Sequence, residues 1–144
     1  MITGENHIGN QRSATGAKTY KTFNPKLNIE NKVHFLGKIP HDQLGPVYAT
    51  SDIVVLPSQH QESFGMVLIE GMACGTPVAA YPVTGPIDVV GNSEGGVLRE
   101  DLRVASLMAL QLDRRKVADY GAKFSWDAAT SQFLGALRPI DRAA

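Results

Sequence analysis

The run Phe64-Gly65-Met66-Val67-Leu68-Ile69-Glu70-Gly71-Met72-Ala73-Cys74 is almost wholly apolar, yet it carries one carboxylate. Gly75 closes it and Pro77 lies just beyond, so it is expected to be a buried helix from about Phe64 to Cys74 with a left-handed glycine cap. A carboxylate in such a helix is costly to desolvate unless something pairs with it. Glu70 therefore needs a partner, and a ligand hydroxyl or amide can be that partner. A second carboxylate, Glu62, stands eight positions earlier on the polar segment leading into the helix.

Short apolar segments surround this helix. Val33-His34-Phe35-Leu36-Gly37 reads as a strand ending in a turn glycine. Leu44, Val47 and Tyr48 have helical spacing, with Gly45-Pro46 arguing for a distorted or late start. Asp52-Ile53-Val54-Val55-Leu56, closed by Pro57-Ser58, has the continuous apolarity of a buried parallel strand. Val78-Ala79-Ala80-Tyr81 is the next strand. Residues 82–86 read as loop, 87–90 as one helical turn, and Val97-Leu98 as a last brief strand. Three helices are expected beyond, marked by Leu102 to Leu110, by Val117 to Phe124, and by Trp126, Ala129, Phe133 and Leu137 after an N-cap at Ser125. Trp126, Phe133 and Leu137 are read as helix packing. Strands alternating with helices at these spacings predict an α/β fold, a Rossmann-like parallel sheet with flanking helices. Residues 1–31 are polar and aperiodic and read as an irregular arm. Gly16-Ala17-Lys18-Thr19 is not a phosphate loop, because alanine separates glycine from lysine and no apolar strand precedes it.

Composition removes several functions. Lys plus Arg and Asp plus Glu are both 14, so no basic surplus points to nucleic acid and no polybasic run points to an anionic membrane. No apolar stretch approaches a transmembrane segment, and the first residues lack the charged and apolar regions of a signal peptide. A cytoplasmic protein is expected. The single cysteine, Cys74, allows no internal disulfide or multi-Cys zinc site and reads as a small core residue. His7, His34, His41 and His60 have no metal-ligand spacing.

In an open parallel sheet, ligands bind beyond the carboxyl ends of the strands, where residues 57–63 are expected. The first helical turn, Phe64 to Val67, offers unpaired N–H groups and the positive end of the dipole to a phosphate. Gly65 removes a side chain that would hold an anion away. The two oxygens of Glu70 suit a ribose diol, and Glu62 can reach a sugar beyond the phosphates. The blander alternatives are that Glu70 merely favours the helix dipole and that Glu62 is a solvated loop acid.

Glu62 and Glu70, with seven residues between them, have the spacing of the paired glutamates of retaining glycosyltransferases. The flanks Leu56-Pro57-Ser58, Glu62-Ser63-Phe64-Gly65, Glu70-Gly71-Met72-Ala73 and Gly75-Thr76-Pro77-Val78 agree, as does Phe124-Ser125-Trp126. Over about residues 33–138 the chain resembles the C-terminal donor-binding domain of family 4 (glycosyl transferases group 1). The resemblance implies hexosyl transfer from a nucleotide-sugar with retention, needing neither cofactor nor metal. It gives Glu62 the catalytic position, near the anomeric carbon of the donor sugar. Ser63, Phe64, Gly65, Met66 and Val67 would bind the sugar and diphosphate, Glu70 the ribose, and Gly37, Lys38 and Ile39 the base. Residues 81–86 faintly resemble mannosyltransferase-like members, so the donor is expected to be GDP-mannose or a UDP-hexose.

The resemblance also implies parts that residues 1–31 do not resemble: an acceptor-binding domain, and two leading strands bearing the basic residues that grip the diphosphate. The family's sheet order is 3-2-1-4-5-6, with the Val33 strand third and the Asp52 strand fourth. The chain is thus expected to be N-terminally truncated, an incomplete donor domain over 33–138, inactive alone, and prone to self-association or to pairing with an acceptor-domain partner through open edges. The Val33 strand would dock beside the Asp52 strand or pair elsewhere. The parent enzyme could lie peripheral to a membrane. Two other readings stand beside this one: a non-catalytic nucleotide-binding or assembly module, and another enzyme of the same two-domain architecture, such as a nucleotide-sugar epimerase.

Overall fold

The computed structural model describes residues 10–12, 18–20, 32–59 and 62–138. His7, His60 and most of the expected arm lie outside them. Backbone contacts divide the chain into two compact units, Met1–Ile39 and Pro40–Ala144. The division falls after Ile39 and not at the composition break near Val33.

In the first unit, strand β1 (Asn10–Arg12) pairs antiparallel with β2 (Lys18–Tyr20), Gln11 opposite Thr19. The arm is therefore not wholly irregular. Polar residues carry no amphipathic pattern, but backbone groups pair whatever the side chains are. Residues 33–37 do not form the expected strand, and Val33, Phe35 and Leu36 are exposed.

The second unit begins with a 3₁₀ turn, His41–Gln43, that runs directly into helix α1 (Leu44–Thr50). Pro46 falls in the first helical turn, where an N–H would have no intrahelical acceptor, so it does not delay the helix. Then follow β3 (Val54–Leu56), α2 (Met66–Ala73), β4 (Val78–Ala80), α3 (Thr84–Val89), β5 (Gly96–Leu98), α4 (Leu102–Ala109), α5 (Arg114–Gly121) and α6 (Trp126–Ala136). The sheet is parallel in order β3-β4-β5, with Val54 opposite Val78 and Val78 opposite Gly96. It is an α/β, Rossmann-like sheet of few strands. Among the described residues no helix is long and apolar enough to cross a membrane.

Side-chain alternation along β4 builds two cores. Val78 and Ala80 pack with Leu68, Ile69 and Met72 of α2, with Val89 and Val90, and with Val117 of α5. Ala79, on the opposite face, meets Ala105 and Ala109 of α4. Each large aliphatic side chain so buried contributes about 1.5–3 kcal/mol. Among the described residues β3 stands at an end of the sheet order, and it is not fully buried: Val55 is 40% exposed. Residues 84–86, read as loop, are the first turn of α3. Ser125 caps α6 as expected, its Oγ accepting the Ala128 N–H. The expected packing of α6 is absent, because no residue of that helix is buried and Trp126 is 89% exposed.

Helices α2 and α5 touch through their backbones. A Cβ on Gly121 would lie 2.5 Å from Ala73 N and 2.7 Å from Met72 O, whereas one on Gly135 would meet nothing within 4 Å. Gly121→Ala is expected to cost about 3 kcal/mol, the upper range for overpacking against atoms that cannot rotate away. Gly135→Ala should instead stabilise by about 0.5–1 kcal/mol, since it removes a helix glycine into open space. Urea unfolding of both variants checks the pair, and a Gly121→Ala protein as stable as the parent would contradict this contact.

Candidate functional site

Helix α2 begins and ends on left-handed glycines. Gly65 is its N-cap at φ +79, and Gly75 follows its C-terminus at φ +71. The Gly75 N–H bonds to Met72 O at 2.8 Å and the Thr76 N–H to Gly71 O at 2.9 Å, a Schellman cap. At the other end, the Glu62 carboxylate turns back to accept the Gly65 N–H at 3.1 Å. Beyond it, the first-turn N–H groups of Met66 and Val67 have no intrahelical acceptor by helix geometry. Gly65 itself is buried, while Ser63, Phe64 and Met66 around it are exposed.

The loop is pinned from the next strand. The Gly85 N–H donates to the Glu62 carbonyl at 3.0 Å. A Cβ at Gly85 would sit 2.7 Å from both that oxygen and Phe64 N, so only glycine lets the start of α3 lie directly on residues 62–64. Two loops beyond the carboxyl ends of adjacent parallel strands are thereby joined, at the position where such sheets bind ligands. Sequence reasoning took residues 82–86 as loop. It did not find this supporting role.

Glu70 has the partners that its setting demands, and they come from the protein. Tyr48 Oη donates to Glu70 Oε2 at 2.8 Å. His41 Nε2 lies 3.0 Å from Oε1, and it must be the donor because a carboxylate can only accept. Tyr48 is held from behind: buried Thr76 donates its hydroxyl to the Tyr48 carbonyl at 2.6 Å. Arg114 of α5 donates to the carbonyls of Ala49 and Ser51 and to Thr76 Oγ1. A guanidinium on the last carbonyls of α1 also complements the negative end of that helix. Nothing in the local spacing marked His41, Tyr48 or Arg114, since all three act across long sequence separations. Cys74 is half-buried. Gly37, Lys38 and Ile39 belong to the first unit; Gly37 is left-handed at φ +71, Lys38 exposed and Ile39 half-buried.

The second unit is thus a Rossmann-like α/β sheet with the motif loop following the end of β3 and a half-buried carboxylate within α2. The family model for glycosyl transferases group 1 matches residues 4–117, and the chain belongs to that family. The match takes in most of the arm, which sequence reading left outside the resemblance, and stops before α6, which it included. The chain is 36% identical to a D-inositol 3-phosphate glycosyltransferase of Segniliparus rotundus over 124 residues, 78% of this chain and 27% of that protein. The same-named proteins of Corynebacterium aurimucosum and Geodermatophilus obscurus are 35% and 32% identical, covering 79% and 90% of this chain but 30% and 31% of their own lengths. The chain thus spans about 27–31% of the curated relatives it matches.

Partial burial first, and then the hydrogen bond and charge of Glu70, push the Tyr48 phenol up from 10.0 to about 12. The pKa is raised on folding, so the associated stability is complete below pH 10 and is lost as pH climbs through about 12. Tyrosinate absorbance should show a late step near pH 12, and Tyr48→Phe should remove that step. A late step that persists in Tyr48→Phe would reassign it.

Proposed function

We propose that this chain carries donor-binding elements of a retaining hexosyl transfer from a nucleotide-sugar. The observation that supports the reading best is the α2 start. A helix N-terminus capped by a buried, left-handed glycine and flanked by exposed Ser63, Phe64 and Met66 lies between a loop carboxylate and a half-buried helical one. On this reading the Met66 and Val67 N–H groups donate to the diphosphate, Glu70 accepts from the ribose diol, and Glu62 uses its remaining lone pairs on the sugar. Ser63, Phe64 and Gly65 shape the diphosphate wall. Oriented N–H dipoles would stabilise charge developing on the leaving diphosphate. The donor is GDP-mannose or a UDP-hexose. The relatives' names place D-inositol 3-phosphate in their reaction, and only glycosyl transfer is taken from them here. Donor binding without robust transfer is expected of this chain by itself, since much of a transferase's acceleration comes from positioning both reactants.

Calorimetry separates the two carboxylates. Glu70→Gln should weaken UDP or GDP by about tenfold, the loss of one charge-assisted hydrogen bond. Glu62→Gln should leave the free nucleotides unchanged and weaken only the intact nucleotide-sugar. Equal small losses for nucleotide and nucleotide-sugar in both variants would remove these roles.

A further inference from the structure

The pairing of Glu70 is asymmetric. Tyr48 is half-buried on α1, and Thr76 and Arg114 fix that helix from behind. His41 stands on a 3₁₀ turn, and its side chain is 82% exposed against 23% for Glu70. One oxygen of the carboxylate is therefore held from the protein side. The other is covered by an imidazole on the solvent side, the side from which a ligand must come.

We propose that Tyr48 is a positioning residue that fixes the plane of the Glu70 carboxylate, and that His41 is a displaceable cap that a ribose diol must remove from Oε1 to bind. The inference rests on the reading of Glu70 as the ribose acceptor. A diol that spans both oxygens must approach from the solvent side, and there the exposed imidazole of His41 already stands against Oε1. His41 can leave at small cost, because an exposed pair contributes little and its ring would be solvated at once. Tyr48 cannot leave so easily, because its phenol would lose its acceptor where solvent replaces it poorly. Nucleotide affinity is thus set partly by competition with the chain's own side chain, and the capped carboxylate stays satisfied until a diol arrives.

The test is calorimetric titration of the full chain and its His41→Ala variant with UDP, GDP and their 2′-deoxy forms, with Glu70→Gln as reference. His41→Ala should bind the ribonucleotides about two- to fivefold more tightly, the size expected when an exposed competing pair is removed. The 2′-deoxy nucleotides, lacking one of the two donors, should gain less, so discrimination for ribose should rise. General loosening of the structure would move both kinds of nucleotide alike. Unchanged or weaker ribonucleotide binding in His41→Ala overturns the cap. If that binding is still lost in Glu70→Gln, the functional reading stands without it. No binding of UDP or GDP at millimolar concentration to either the parent chain or His41→Ala overturns both.

Discussion

Glu70 is flanked in α2 by Leu68, Ile69, Gly71 and Met72, all buried, and a charge so placed must be satisfied or the helix cannot be buried. That requirement draws α1 onto α2 through Tyr48. Once α1 is there, its last carbonyls need donors, and Arg114 supplies them from the first turn of α5. Thr76, just past the α2 cap, ties the two together by donating to Tyr48 and accepting from Arg114. The polar chain from Glu70 through α1 to α5 thus encloses the glycine-capped end of α2. The apolar side of the same helix meanwhile closes the larger core against β4. Packing and polar satisfaction act on opposite sides of one eight-residue helix.

The two carboxylates differ in what holds them. Glu70 projects from a helix whose neighbours are fully enclosed. Glu62 rides on a loop and is tied by its carboxylate to Gly65 and by its carbonyl to Gly85. Seven residues separate them in sequence, and the left-handed Gly65 sets the angle between loop and helix.

Much of this was legible in the chain because it is local. The buried helix was placed within two residues at its start and one at its end, and Gly75 as its cap, because apolar runs and glycine stops are short-range signals. The Ser125 cap is of the same kind. Residues 33–37 were misread because a short apolar run is not specific to a strand. The β1–β2 pairing was missed because polar residues leave backbone pairing unmarked. Glu70 was correctly seen to need a partner, but His41 and Tyr48 lie 29 and 22 residues away, beyond any pattern of spacing. Val55 was taken as buried because a strand's apolar run does not say whether it stands at an edge. The α6 stripe had the spacing of a packed face, and spacing alone cannot show whether anything covers it.

The contact at Gly85 has a consequence for how such a site can diversify. Main chain rests on main chain between the start of α3 and residues 62–64, with no side chain between them. The distance separating the two loops is therefore independent of which side chains residues 62, 63 and 64 carry. Substitution at these positions alters the chemical surface offered to a ligand while the frame beneath keeps its dimensions. Insertions are another matter: lengthening either loop would part the two backbones, so their lengths are bound to vary together or not at all.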